Sequence, residues 1–148
     1  MKSHIESCII NCDVKEVFDV VADIESYPEF LPWCIGAKIT DTISVENGIK
    51  SKADLTIAFG RFREIFSSNI VLNQEELLIE IYSLEKPFKI LDGRWTFLKI
   101  EDGCRVNFEI KFEFKSLILD KLIGLVFYQA IRKVVSSFQK RISEKRLS

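Results

Sequence analysis

Few side chains in this sequence are suited to covalent or acid–base chemistry. The chain of 148 residues has a single histidine, His4. Because His4 is close to the N-terminus, we expect it to lie in a frayed chain end. A nucleophile or an acid–base pair that depends on histidine is therefore not expected. The sequence also lacks a glycine-rich phosphate loop and a His-x-x-x-His metal pair. These absences predict a protein that is not an enzyme.

Cysteine is the other residue type that could bind a metal or act as a nucleophile. The four cysteines, Cys8, Cys12, Cys34 and Cys104, are scattered along the chain. Three residues separate Cys8 from Cys12, but no second pair or histidine group completes a zinc-binding pattern. We therefore expect reduced, buried thiols, as in a cytosolic protein, and neither a metal nor a cofactor.

Glu64 is the carboxylate whose position the strand pattern leaves open. Most other carboxylates alternate outward on predicted strands or lie in turns, where water solvates them. Glu64 has the same parity as Phe62 and Phe66, so it could point inward. A bend of the strand after Gly60 would equally turn it outward.

Charge is unevenly distributed along the chain. The formal net charge is −1 at pH 7, so the whole molecule does not attract nucleic acid, and no DNA partner is expected. The segment from Arg132 to Arg146, however, has only Glu144 against its basic residues. Such a segment is most often a solvated helix end, although it could also meet RNA or anionic lipid head groups.

Targeting and membrane signals are missing from the sequence. No apolar run reaches the ~20 residues that a transmembrane helix needs. The first ten residues, MKSHIESCII, resemble neither a signal peptide nor an organellar transit peptide. We therefore expect a cytoplasmic protein.

Alternating patterns in the middle of the chain predict an antiparallel sheet. The clearest lies at 104–115, where apolar residues alternate with polar ones without exception. After Ser116 the apolar spacing changes to three and four, which predicts a helix. The predicted order is a strand at 3–10, a helix from Asp13 with a capping box to Glu16, a two-turn helix from Ser26, six strands within 35–115 and a long helix at 117–145.

A sheet that is dry on one face has to cover that face. Only the long C-terminal helix carries enough apolar surface to do so. The sequence therefore predicts an α+β fold, with one domain at 1–148 in which a curved antiparallel sheet grips the C-terminal helix.

Aromatic residues are concentrated on the predicted inner faces and in the stretch 27–33, which is too apolar for an ordinary connecting loop. They could fill a packed core. A deeply curved sheet closed by one helix could instead leave an apolar cavity for a small molecule. Composition does not separate these alternatives.

Three stretches resemble the coenzyme Q-binding proteins of the START-like superfamily, also called polyketide cyclase/dehydrase-like or aromatic-rich proteins. They are SYPEFLPWC (26–34), EKPFKILDGRWTF (85–97) and CRVNFEIKFEFKSLILDKLIGLVFYQAI (104–131). The resemblance implies a helix-grip fold of the START-like or Bet v 1-like type, with seven antiparallel strands curved around the C-terminal helix. It further implies a hydrophobic tunnel that binds ubiquinone or a related isoprenoid lipid as a ligand, in support of respiratory electron transport.

The resemblance also implies which residues contact that ligand. Residues in 27–33 would form a gate at the tunnel mouth, and inward residues of the strands and the long helix would line the tunnel. The predicted ligand-binding residues are Tyr27, Phe30, Leu31, Pro32, Trp33, Phe59, Phe62, Phe66, Phe88, Leu91, Trp95, Phe97, Phe112, Phe114, Leu122, Val126 and Phe127.

Two other functions occur among the proteins that this sequence resembles. A bacterial branch is described as a ribosome association toxin, which binds the large ribosomal subunit and blocks subunit association. The motifs LPWC and FEFKSL favour the quinone-binding branch. Polyketide cyclases share the fold, and their chemistry would have to depend here on Glu64 and Tyr82. The expected partners are thus a hydrophobic small molecule and the inner membrane surface, with the large ribosomal subunit as the alternative.

Overall fold

The computed structural model describes residues 2–147, except for the side chains of Val126, Tyr128, Arg146 and Leu147. The described elements follow the predicted order. Their bounds are β1 (Lys2–Ile10), α1 (Val14–Ala22), a 3₁₀ helix (Ile24–Glu29), β2 (Cys34–Val45), β3 (Gly48–Phe59), β4 (Phe62–Asn73), β5 (Leu78–Ser83), β6 (Phe88–Ile100), β7 (Gly103–Phe114) and α2 (Leu117–Leu147).

The strands form one antiparallel sheet in the order β1-β7-β6-β5-β4-β3-β2. Strands β2 to β7 pair with their sequence neighbours, and β1 pairs with β7 at the far edge. The turn between β2 and β3 requires Gly48, because a Cβ there would lie 1.8 Å from the carbonyl oxygen of Leu72. The predicted fold class is confirmed.

Both α-helices pack on the concave face of the sheet. Val17, Phe18 and Val21 of α1 are buried, and the ring of Phe18 meets that of Phe97 edge-on at 5.4 Å between centroids. Helix α2 packs mainly against β1, β7 and α1. Space therefore remains between α2 and the other half of the sheet.

The N-terminus of α1 differs from the predicted capping box. Asp13 is the N-cap residue, and its side chain accepts a hydrogen bond from the backbone N–H of Lys15 at 3.2 Å. Glu16 does not complete the box, because its carboxylate accepts a hydrogen bond from the thiol of Cys12 at 2.8 Å. In a capping box, the backbone N–H of the N-cap residue donates to this carboxylate. Here the thiol of Cys12, just before the helix, is the donor instead.

The helix predicted from Ser26 is a 3₁₀ helix that begins at Ile24 and ends at Glu29. Pro28 lies inside it and has no N–H to donate, and Pro32 disfavours the helical conformation in the residue before it. Phe30 and Leu31 therefore lie beyond the helix rather than on it. Trp33 has a φ of 65°, which reverses the chain just before β2.

His4 does not lie at a frayed chain end, contrary to the prediction. It is part of β1 and pairs with Ile110 of β7. Its Nε2 lies 2.7 Å from Oε1 of Glu6, and its ring contacts Phe127 of α2.

Across the described residues, no helix combines the length and apolar character that crossing a bilayer requires.

Candidate functional site

An apolar cavity of about 310 Å³ lies between the concave face of the sheet and α2. This volume is at the lower end of the ~300–1,000 Å³ typical of small-molecule sites. Gly93 of β6 contributes to the space, since it stands in register between Ile81 and Ile110, both of which line the cavity. The absence of a side chain at this position leaves a depression in the middle of the sheet.

Stacked and edge-on aromatic rings form much of the cavity wall. Trp95 of β6 stacks on Phe108 of β7 with centroids 4.3 Å apart. At the other end of the same strands, Phe88 stacks on Phe114 at 5.1 Å, and Phe66 meets Phe88 edge-on at the same distance. The two stacked pairs join neighbouring strands, because the register places their rings side by side on one face. Phe66 of β4 and Phe88 of β6 meet beyond the end of the shorter β5.

Trp33 stands at the rim of the cavity between the 3₁₀ helix and β2. It lines the cavity and is half-buried. The ammonium group of Lys133 on α2 lies 5.7 Å from the centre of its ring, within cation–π range. Phe59, at the tip of the β3–β4 hairpin, contacts the same ring edge-on at 5.6 Å. Three elements thus meet at this side chain.

A second set of contacts ties the 3₁₀ helix to the C-terminal half of α2. Arg141 donates a hydrogen bond to Glu29 at 2.6 Å, and its guanidinium lies 5.1 Å from the ring centre of Phe30.

The 3₁₀ helix is also bound to α1, because the hydroxyl of Tyr27 donates a hydrogen bond to the carbonyl oxygen of Val21. Burial raises the pKa of Tyr27 well above its ordinary value, so this hydroxyl stays protonated and bound.

The structure places most of the predicted ligand-binding residues on the cavity wall. These are Tyr27, Leu31, Pro32, Trp33, Phe66, Phe88, Leu91, Trp95, Phe112, Phe114 and Phe127. Their role in binding a ligand stays a prediction.

Five predicted residues do not line the cavity, and one lies outside the described side chains. Phe97 packs against α1, Phe30 packs on Phe138 and Arg141, and Phe62 lies half-buried on the hairpin. Phe59 and Leu122 are 52% and 48% exposed. These five lie away from the cavity wall, because strand parity and helix spacing predict a face but not a distance from the cavity, and their role in binding a ligand stays a prediction. The sixth is Val126, whose side chain is not described.

The cavity wall also contains residues that the sequence did not single out. They are mostly aliphatic residues at the inward positions of β3 to β7 and on α2, whereas the prediction relied on aromatic residues. They are Ile24, Cys34, Ala53, Leu55, Ile57, Ser68, Ile70, Ile79, Ile81, Gly93, Phe108, Ile110, Ile123, Ala130, Ile131, Val134 and Phe138. Alternation along the strands and the spacing of three and four on α2 were the signals that could have found most of them.

The two candidate residues for cyclase chemistry lie off the cavity wall. Glu64 pairs with Ile57, so it shares the concave face, but it is half-buried toward the hairpin tip and does not line the cavity. Tyr82 is 40% exposed, and the ammonium group of Lys50 lies 5.8 Å from its ring centre. The described residues contain no group of three potential metal ligands.

The four cysteines are free thiols, as predicted, and three of them are buried, while Cys8 is half-buried. Burial raises the pKa of Cys34 and Cys8, and it raises that of Cys104 to about 11. These three thiols are therefore protonated near neutral pH. Cys34 lines the cavity, where its sulfur contacts the carbonyl oxygen of Gly36 at 3.5 Å.

Residues 10–139 match the protein family described as polyketide cyclase/dehydrase and lipid transport. The chain belongs to this family. The match spans α1, the 3₁₀ helix, β2 to β7 and most of α2, and so includes the elements that form the cavity. The resemblance that the sequence motifs indicated is confirmed.

Relatives within the family include ribosome association toxins and a coenzyme Q-binding protein. The ribosome association toxin RatA of Rickettsia prowazekii is 37% identical over 133 residues, which cover 88% of each protein. RatA of Pseudomonas aeruginosa is 30% identical over 146 residues, 97% of this chain and 98% of that protein. The mitochondrial coenzyme Q-binding protein COQ10 homolog B of Xenopus laevis is 28% identical over 140 residues, 92% of this chain and 56% of that protein.

Solved structures share the helix-grip architecture. An 18 kDa protein from Caulobacter crescentus has a TM-score of 0.84 at 26% identity, and the alignment covers 100% of both chains. A START superfamily protein from Mycobacterium smegmatis has a TM-score of 0.79 at 12% identity, with 96% of this chain and 97% of that chain covered. At this identity the likeness concerns the fold alone.

Proposed function

We propose that this chain associates with the ribosome, as the name of its RatA relatives indicates for those proteins, and that it does so at the large subunit. The observation that carries the proposal is the similarity to two RatA proteins, at 37% and 30% identity over most of each chain. The quinone-binding role that the motifs favoured has weaker support, because COQ10 homolog B is 28% identical and the chain spans about half of it.

The exposed face of α2 supplies a surface suited to RNA. Arg132, Lys133 and Lys140 are exposed and lie within one arc of the helix, at spacings of one, seven and eight residues. Only one carboxylate, Glu144, occurs between Arg132 and Lys145. Clustered cations of this kind bind the phosphate backbone by displacing its counterions.

Co-sedimentation with purified large ribosomal subunits tests the proposal. We expect the protein to pellet with the subunit at low salt and to be released as salt rises. The double variant Arg132→Glu, Lys140→Glu should lose binding. The matched control is Lys38→Glu, Lys111→Glu, which reverses two exposed cations on the convex face of the sheet.

Absence of the protein from the pellet at low salt would disprove ribosome association. Equal losses in both double variants would show that net charge, rather than the face of α2, governs binding.

A second candidate function is the binding of a quinone head group or a similar apolar ligand in the cavity. The observation in its favour is a space of about 310 Å³ between the sheet and α2 whose wall is almost entirely apolar. This volume suits one ring-sized group, so the long tail of ubiquinone would have to extend past the rim at Trp33. Binding of this kind is compatible with ribosome association, since Arg132 and Lys140 do not line the cavity, although Lys133 contacts Trp33 at its rim.

Extraction of the purified protein with organic solvent, followed by mass spectrometry, tests this second function. We expect a quinone or another isoprenoid, and retention of added ubiquinone that falls in Trp33→Ala and in Leu31→Ser. No ligand even after ubiquinone is added would count against it. Unchanged retention in both variants would remove Trp33 and Leu31 from the binding site. Membrane contact of 27–33 stays a prediction.

Both functions make the chain a binding protein rather than an enzyme. The hydroxyl of Tyr27 on the cavity wall is already hydrogen-bonded to the protein. Glu64 and Tyr82, which a cyclase would need, lie off the wall. Turnover of a polyketide substrate that is lost in Glu64→Gln would contradict this part of the proposal.

A further inference from the structure

Ser68 places one hydroxyl group in an otherwise apolar wall. It lies on β4 between Phe66 and Ile70 on the concave face, opposite Ala53 of β3, and all four residues line the cavity. Ser68 is only 6% exposed. Among the described residues, its hydroxyl has no hydrogen-bond partner.

The other hydroxyl groups buried nearby all have partners. Ser83 donates to the carbonyl oxygen of Ser67 at 2.7 Å, and Ser51 shares a hydrogen bond with Thr42 at 3.1 Å. Tyr27, on the cavity wall like Ser68, donates to the backbone. Buried polar groups without a partner are costly and uncommon in folded proteins. The hydroxyl of Ser68 faces the cavity rather than packed protein, so it is available to a partner from outside the chain.

The surroundings of Ser68 limit what that partner can be. Phe66 is its neighbour on the same face of β4, and Phe66 meets Phe88 edge-on. Trp95 and Phe108 present further ring surface to the cavity. Aromatic walls favour a flat apolar ring, while the hydroxyl offers one hydrogen bond to an oxygen atom.

We propose that Ser68 is the polar recognition point of the cavity, where its hydroxyl donates a hydrogen bond to a carbonyl or hydroxyl oxygen of a ring-containing apolar ligand. This inference rests on the second proposed function, the binding of an apolar ligand in the cavity. It further assigns to the hydroxyl of Ser68 the selection of an oxygenated ligand over a hydrocarbon of the same shape.

A matched pair of small probes tests the inference. Duroquinone and durene are flat six-membered rings with four methyl groups at the same positions, and only duroquinone, whose ring is a quinone rather than a benzene, has carbonyl oxygens. Because both tryptophans of the chain line the cavity, intrinsic fluorescence can report binding of either probe. We expect Ser68→Ala to weaken duroquinone binding about 2- to 12-fold, the range that one hydrogen bond accounts for, and to leave durene binding unchanged.

Ser67→Ala is the matched control, because Ser67 is the preceding residue on β4 and points to the opposite face, where it donates to Asp54. It should change the affinity for neither probe. Equal losses for both probes in Ser68→Ala, or no loss for either, would overturn the role of Ser68 while leaving the cavity as a binding site. If the wild-type protein binds neither probe, both the inference and the second function are wrong.

Discussion

Replacing Gly93 with valine tests whether the cavity is space that a side chain can fill. Gly93 lies on β6 between Ile81 and Ile110 on the concave face. A Cβ at this position would have its nearest neighbours at 3.6 Å, the carbonyl oxygen of Glu109 and the Cβ of Ile81, which is ordinary van der Waals contact. Valine also suits the backbone of a strand. The Cβ therefore fits without a clash, and we expect the two methyl groups of valine to extend into the cavity.

The expected gain in stability follows from burial and from backbone entropy. Full burial of a valine side chain is worth about 1.5–3 kcal/mol. Replacing a glycine inside a strand adds about 0.5–1 kcal/mol. Because the new side chain would touch the wall on only some of its sides, we expect the free energy of unfolding to rise by about 1–3 kcal/mol. For a protein of this size, that raises the melting temperature by about 2–12 °C.

The same side chain should exclude a ligand. A mismatch of one methylene in an apolar pocket changes affinity by about 10- to 200-fold, so Gly93→Val should weaken duroquinone binding about tenfold or more. Urea unfolding followed by circular dichroism measures stability, and fluorescence titration measures binding. The control is Thr96→Val on the opposite face of β6, which should change stability by less than about 0.5 kcal/mol and leave binding unchanged.

Two results for Gly93→Val would refute this reasoning. A fall in the free energy of unfolding would mean that the space beside Gly93 cannot accept a side chain. Unchanged affinity for duroquinone, together with the expected gain in stability, would mean that the probe binds outside the cavity.

Two further predictions concern contacts around the site. Tyr27→Phe removes a buried hydrogen bond and should lower the free energy of unfolding by about 0.5–1.5 kcal/mol at neutral pH. Because burial raises the pKa of Tyr27, the wild type should lose this advantage as pH rises past the ordinary tyrosine value of 10.0. Hydrogen bonds from Lys2 and from the backbone of Phe114 lower the pKa of Asp120. The ionised carboxylate therefore stabilises the folded protein at neutral pH, and this stabilisation is lost as pH falls and the carboxylate is protonated. Asp120→Asn should cost less than about 1 kcal/mol at pH 7, and thermal melts should show that the difference disappears in acid.

Clear outcomes would contradict these two predictions. Equal stability of Tyr27→Phe and the wild type at neutral pH would mean that water replaces the lost hydrogen bond. A difference between Asp120→Asn and the wild type that persists unchanged in strong acid would show that the charge of Asp120 is not its cause.

Strand alternation predicted the face of a residue well, but it did not predict depth. Trp95 and Phe97 have the same parity on β6, yet Trp95 lines the cavity and Phe97 packs against Phe18 of α1. The helical spacing of α2 likewise made Leu122 an inward candidate, although it is 48% exposed. Its orientation depends on how α2 packs against β7 and against β1, and β1 is distant from α2 in sequence.

The sequence by itself determined the order of elements, the antiparallel sheet and the long helix, because strand and helix periods and turn signals are local properties of the chain. Only the tertiary structure decided where empty space remains and which groups face it. Gly93 and Ser68 lie on strands that pair with their sequence neighbours, but they face empty space because α2 packs to one side of the sheet, against β1 and β7. Such long-range placement depends on packing, which residue spacing does not encode.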